Sequence, residues 1–373
     1  MPSLSRWITR RSAPRPSGAA LRALSRIRRL AFAGVLLGFC VVVLGAYVRL
    51  SAAGLGCPDW PGCYGQLSPA GAEQSSAAQA AYPNRPLEVG KAWREMIHRY
   101  AASTLGLIIV VIAALAIATR RSRIVAPGYA LALFGIVVFQ GLLGMLTVTW
   151  LLKPLIVTLH LLFGLTTVGL MWWLFLSLAR PPAAPRVPVQ GRAVVIVALC
   201  LLGVQIALGG WTSSNYAAVA CPDFPKCQNA WWPAHIDFHN GFVVWRGLAI
   251  NFEGGVLANP ARVAIHLTHR FGAIVASLAL ATATVITLVR SRQPTARLAA
   301  VAVLAALALQ LSIGIAMVLN GFPLWLATAH NAGAALLLLA TLALAWTWSR
   351  PHNRRPSDAL SNRSLDWQKT GRG

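Results

Sequence analysis

The stretch EMIHRYAASTLG (95–106) sets a carboxylate, a histidine and an arginine at the mouth of an apolar run that continues to residue 118. A second copy, HLTHRFGAIVAS (266–277), keeps the His-Arg-aromatic core and again leads into an apolar run. Working outward, CPDWPGC (57–63) returns as CPDFPKC (221–227), FQGLLGMLTV (139–148) as LQLSIGIAMV (309–318), and PLIVTLHLLFG (154–164) as PLWLATAHNAGA (323–334). Four landmarks recur in one order, so the chain reads as a tandem duplication.

The 373 residues are 57% hydrophobic and only 11% charged. Soluble domains carry about 25% charged residues. Runs near 20 apolar residues are long enough to cross a hydrocarbon core. The pattern predicts an all-α polytopic membrane protein with eight spans, at 30–50, 97–119, 126–150, 155–179, 193–212, 264–289, 297–319 and 325–348. The net charge of +24 is unevenly placed. The tails and the even-to-odd connections hold 23 of the 33 Lys and Arg. That bias is a topology signal that puts both termini in the cytoplasm, and it argues against a nucleic-acid partner. The Arg- and Ser-rich tail, which lacks acidic residues, also suits a mitochondrial transit segment. The bacterial inner membrane is the favoured setting, with the mitochondrial inner membrane as the alternative.

The expected organisation is a basic tail (1–29), a four-helix half (30–180), a linker (181–191), a second four-helix half (192–350) and a cytoplasmic tail (351–373). An even number of spans per half makes the two four-helix bundles parallel repeats about an axis along the membrane normal.

His98 and His160 fall in the first half, His269 and His330 in the second. Each lies early in an even-numbered span, so all four share a depth near the outer face. A histidine within a bilayer needs a partner. Two facing imidazoles per half suit a haem iron, whose other four ligands come from the porphyrin. A metal ion such as zinc would need three or four ligands at one point. Arg99 and Arg270 follow two of these histidines; they either snorkel to the interface or pair with haem propionates. Glu95 lies one turn before His98, where its repeat counterpart is His266. It is either solvated at the membrane edge or an acid, base or charge stabiliser beside the first-half haem. Gln140, Gln205 and Gln310, each four residues before a glycine, read mainly as polar handles on close helix packing.

The constellation resembles the haem A synthase family over about residues 30–350: eight spans in parallel halves, an ExxHR at span two, paired histidines and paired outer-loop cysteines. The resemblance implies conversion of haem O to haem A by two successive hydroxylations of a ring methyl group to a formyl group, for terminal-oxidase biogenesis. It implies that His98 and His160 flank the substrate haem beside Glu95. It also implies haem B on His269 and His330, an external electron acceptor, and water as a plausible oxygen source. Haem O synthase, membrane lipid and a second copy of the chain are compatible partners. A di-haem b-type electron-transfer cytochrome and a haem transporter remain the alternatives.

The Cys-x5-Cys spacing of Cys57–Cys63 and Cys221–Cys227 differs from zinc patterns. An oxidising outer side favours two disulfides, for bracing or for redox or haem delivery. The outer segments 64–94 and 228–262 are expected to form short interfacial helices over the haem pockets. His235 and His239, at i, i+4, read as surface histidines before metal ligands. Cys40 and Cys200 are expected to be buried, inert thiols.

Overall fold

The computed structural model describes residues 18–120, 125–179 and 189–349. Most of the expected linker, the start of the basic tail and the whole 351–373 tail lie outside the described residues. Eight long helices are present: α1 (Gly18–Leu50), α2 (Val89–Ala118), α3 (Pro127–Thr149), α4 (Pro154–Leu178), α5 (Val189–Ser214), α6 (Asn259–Arg290), α7 (Pro294–Leu319) and α8 (Leu324–Trp348). Each is long and apolar enough to cross a membrane. Among the described residues, the only strand-like pairing is two isolated bridges, Cys63 with Gln66 and Cys227 with Ala230.

Prolines fix where four helices begin. Pro127, Pro154, Pro260 and Pro294 occupy the first or second helical position, where the missing N–H has no intrahelical partner to lose. The largest differences from the hydropathy-based spans are at three helix starts: α1 at Gly18 instead of 30, α2 at Val89 instead of 97, and α6 at Asn259 instead of 264. Their extra turns are polar. Hydropathy marks only the hydrocarbon depth, whereas a helix continues into the interface until the chain supplies a breaker such as Pro86 or Pro260.

The helices pack as two rings. α1 and α3 each contact α2 and α4; α5 and α7 each contact α6 and α8. Between the rings α1 meets α8, α5 meets α4, and α4 meets α8. Exchanging α1–α4 with α5–α8 maps this set of neighbours onto itself, the relation a twofold between α4 and α8 would produce. Ile27, Ile109, Leu133 and Met171 fill the first ring. Val195, Leu280, Val303 and Leu344 fill the second. Leu107, Leu142, Val204, Leu278 and Leu298 point outward, as lipid-facing side chains must. Thr284, Thr287 and Thr341, all buried, donate to carbonyls one turn back at 2.7–2.9 Å, so none of these three hydroxyls is stranded in the apolar interior.

Cys40 and Cys200 correct the expectation of burial: both are exposed on the helix surface. In a bilayer such a face meets lipid, where a thiol is as acceptable as the apolar side chains around it. The outer segments do carry short helices, Pro69–Glu73 and Ser76–Ala80 in the first and Phe238–Gly241 in the second. Each is capped by a side-chain oxygen, from Ser68, Ser75 and Asp237 respectively. His235 and His239 are exposed in the second segment.

The second outer segment also reaches across the first half. Lys153, buried at the start of α4, donates to the carbonyls of Arg246 and Gly247 at 2.6 and 2.5 Å. Its ammonium sits 3.8 Å from the centroid of the Trp245 ring. The Phe252 N–H donates to the Leu151 carbonyl at 3.0 Å, and Glu253 pairs with Arg85 at 3.0 Å. Beneath this bridge lies a cavity of about 360 Å³ walled by Gly56, Tyr64, Arg85, Lys91, Asn251 and Glu253.

Candidate functional site

The two disulfide loops match in detail. Cys57 is bonded to Cys63 and Cys221 to Cys227. In the first loop Asp59 accepts from the N–H groups of Tyr64 and Gly65, both at 2.7 Å. In the second, Asp223 accepts from Gln228 and Asn229 at 2.7 and 2.9 Å. Those donor pairs have left-handed backbone, with φ of 55° and 70° in one loop and 55° and 63° in the other. Successive N–H groups in such a turn converge on an anion, which explains why the aspartate recurs with the cysteines.

Each arginine after a histidine is bound to the loop above it. Arg99 donates to the carbonyls of Asp59, Pro61 and Gly62 at 3.0, 3.2 and 2.6 Å. Arg270 donates to those of Asp223 and Lys226, both at 2.7 Å, and of Cys221 at 3.3 Å. A guanidinium offers five donors in a rigid fork, and here the fork anchors a loop to a helix.

Glu95 is only 4% exposed. One carboxylate oxygen pairs with Arg99 at 2.5 Å, and the other accepts from the Cys57 N–H at 2.9 Å. At the matching place in the second half, His266 accepts from Arg270 Nε at 3.3 Å and is 5% exposed. The first half therefore holds a buried carboxylate–guanidinium pair where the second holds an imidazole.

One turn deeper lie the paired histidines. The rings of His98 and His160 face each other with centroids 6.5 Å apart and planes at 80°. Each histidine rests against a glycine on the preceding helix. A Cβ there would come within 2.9 Å of His98 at Gly45, 3.3 Å of His160 at Gly144, 3.2 Å of His269 at Gly209, and 3.0 Å of His330 at Gly314. The glycines of Gln140-x-x-x-Gly144, Gln205-x-x-x-Gly209 and Gln310-x-x-x-Gly314 are thus imidazole cradles, and the glutamines reach the same histidines. The sequence displayed this signal as a threefold repeat one span before each histidine. What it lacked was the rotation that turns both residues toward that neighbour. Gly45 belongs to the set but follows Val41 instead of a glutamine.

The donor set can be compared with a bound group. Two ring nitrogens at about 2 Å from a shared metal, each with its ring centroid roughly 1 Å farther back, set about 6 Å between centroids. The 6.5 Å of His98 and His160 fits that spacing. The Nδ1 atoms of His98, His160 and His330 are buried without a hydrogen-bond partner. Among the described residues no three His, Cys, Asp or Glu side chains converge as a zinc ion would require. Paired imidazoles suit a haem iron, which needs only axial ligands from the protein.

Comparison with known proteins finds matches over most of the chain. A family model described as cytochrome oxidase assembly protein matches residues 28–342. A heme A synthase of Shewanella oneidensis is 42% identical over 307 residues, covering 82% of this chain and 91% of its own length. One from Rhizorhabdus wittichii is 30% identical over 330 residues, covering 82% of this chain and 88% of its own. One from Caulobacter vibrioides is 26% identical over 338 residues, covering 84% and 93%.

Proposed function

This chain belongs to the haem A synthase family of cytochrome oxidase assembly proteins, and from that premise we propose that it oxidises the C8 methyl group of haem O to the formyl group of haem A. The observation that carries the proposal is the inequality of the halves. A buried Glu95–Arg99 pair stands one turn above the facing His98 and His160, whereas His266 with Arg270 stands in that place above His269. A carrier with two equivalent haem sites has no use for that difference.

In this reading His98 and His160 hold the substrate from its two faces, in cradles formed by Gly45 and Gly144. Glu95 has a fixed position because Arg99 and the Cys57 N–H take one oxygen each. Each oxygen keeps a lone pair, so the carboxylate can accept a proton from water attacking the methyl carbon. The first oxidation joins water oxygen to the carbon, breaks one C–H bond, and releases two electrons and two protons. The second repeats this on the alcohol, and the gem-diol loses water to give the aldehyde. Four electrons leave in all, so an external acceptor is required. Haem B, which His269 and His330 would hold, would supply one-electron transfer chemistry. Arg99 and Arg270 hold the disulfide loops over both sites, with propionate contacts as a secondary role. The setting is the bacterial inner membrane, with the tails and the even-to-odd connections on the cytoplasmic side.

The test is expression in a host that makes haem O but no haem A, followed by chromatography of extracted pigments. Haem A or its hydroxylated precursor is expected. A folded, haem-loaded protein that yields neither would overturn the proposal. His269→Ala and His330→Ala should each remove the co-purifying haem B spectrum while leaving the protein in the membrane.

A further inference from the structure

The oxidation sets a traffic requirement. For each haem A made, two waters must reach the methyl carbon and four protons must leave, with one water returned when the gem-diol collapses. Hydrocarbon carries neither. The cavity of about 360 Å³ under the second outer segment has room for roughly ten waters at about 30 Å³ each. Its charged groups come as two pairs, Arg85 with Glu253 at 3.0 Å and Lys91 with Glu88 at 2.8 Å. The lining is therefore polar without a net charge that would trap or repel a proton.

Three side chains on one face of α2 lead from this cavity toward the buried carboxylate. Glu88, Lys91 and Glu95 stand at i, i+3 and i+7, successive turns of one stripe. Their side chains are 61%, 32% and 6% exposed, a descent from solvent to interior. Glu88 is the N-cap of α2, yet its side chain makes no capping bond. The wall toward Glu95 is thin. Gly56 lines the cavity, and a Cβ there would stand 2.7 Å from the Lys91 backbone. The N–H of the next residue, Cys57, is the one that holds Glu95 at 2.9 Å. A single peptide group thus joins the cavity wall to the carboxylate. An outward shift of that peptide by about 3 Å would exchange the N–H for a cavity water.

The second half has no such stair. At the offset of 171 that aligns His98 with His269, Glu88, Lys91 and Glu95 become Asn259, Arg262 and His266. A carboxamide does not titrate, and a guanidinium keeps its proton in proteins.

We propose that this cavity is the water inlet and proton outlet of the first-half site, with Glu88 the carboxylate at its mouth that passes protons from Glu95 to the outer solvent. This rests on the reading of Glu95 as the base in the oxidation. Glu95 takes a proton from the attacking water and yields it to a water in the cavity. That water protonates Glu88, which releases the proton to solvent. Lys91 is a positioning residue that holds Glu88 over the cavity. No electron uses this route; electrons go to the external acceptor.

The experiment uses full-length protein in lipid nanodiscs, supplied with haem O and with ferricyanide as one-electron acceptor. Haem A formation is read by chromatography and deuterium uptake at the Cys57 amide by mass spectrometry. Glu88→Ala should slow haem A formation about 10-fold, and added formate, a diffusible carboxylate, should restore it. Asn251→Trp fills the cavity from its far wall and leaves every titratable group in place. It should slow both haem A formation and deuterium uptake, with no relief from formate; Asn251→Leu serves if tryptophan prevents folding. Glu73→Ala, at an exposed acid of the same outer segment outside the cavity, should match wild type in both readouts. A wild-type rate of haem A formation in Glu88→Ala or in the folded Asn251 variant overturns the proposal. So does a slow Glu88→Ala that formate fails to restore, or unchanged deuterium uptake in the Asn251 variant. Failure of the underlying reading looks different: wild-type protein would form no haem A, or Glu95→Gln would form it at the wild-type rate.

Discussion

Replacing Glu95 by alanine should open the first disulfide loop and leave the second alone. Cys57 and Cys63 are both fully buried, so a reductant reaches them only when the loop lifts. Glu95 holds that loop directly through the Cys57 N–H and indirectly through Arg99, which grips three loop carbonyls. A hydrogen bond to a charged group contributes about 1.5–3 kcal/mol. Two are lost in Glu95→Ala, but Arg99 keeps its carbonyls, so the net effect should be about 2–4 kcal/mol. At about 1.4 kcal/mol per factor of ten, the open population rises roughly 30- to 700-fold. Glu95→Gln keeps an acceptor for the Cys57 N–H and should fall between wild type and alanine. The assay exposes the outer face of membrane vesicles to an impermeant phosphine, alkylates new thiols, and counts modified cysteines by mass spectrometry. Cys221–Cys227 is the internal control, because His266 stands where Glu95 would and the Cys221 loop is tied to its helix by Arg270. A wild-type reduction rate at Cys57–Cys63 in Glu95→Ala would refute the reasoning. So would equal acceleration at both loops, which would signal general unfolding.

Gly209→Val should displace the His269 ring, since even a Cβ stands 3.2 Å from it; the expected result is lower haem B content in protein that still elutes as a monodisperse peak. Lys153→Met removes the donor from two carbonyls held at 2.6 and 2.5 Å and should cost about 2–4 kcal/mol of local stability, read as faster proteolysis within 242–257. The Arg85–Glu253 pair is about one-third exposed on each side, so a double-mutant cycle on the same cleavage rate should give a coupling of at most about 1 kcal/mol. A larger coupling would make that ion pair, instead of Lys153, the main tie across the halves.

The features legible in the sequence were those written in periodicity or in repeated residues. Apolar length gave eight spans because a bilayer demands it. The recurrence of Cys, Asp, His and Arg gave the duplicated loops and the histidine pairs. What stayed hidden depends on helix rotation or on long-range contact. Gly144, Gly209 and Gly314 were visible as small residues near glutamines, yet only the packed helices show that the space they leave is filled by an imidazole. Cys40 and Cys200 face outward because of helix rotation, which a uniformly apolar segment does not encode. Arg99 and Arg270 could equally have faced solvent or a ligand; the folded disulfide loops present the carbonyls of Asp59 and Asp223 to them instead. Lys153 gave no signal, since its partners are backbone carbonyls.

That lysine ties the chemistry to the order in which the chain is made. Lys153 is synthesised 93 residues before Arg246, an interval of roughly 5–20 s at ordinary rates of translation. Throughout that interval α1–α4 can insert and assemble, but the cavity above them lacks the wall contributed by Asn251 and Glu253. The first half is thus finished by the second, and only after α5 has crossed the membrane. A chain cut after α4 would leave that cavity open on the side that Asn251 and Glu253 close, however well its four helices packed. The duplication has therefore not left two independent modules, because the later copy has become part of the earlier one's ceiling.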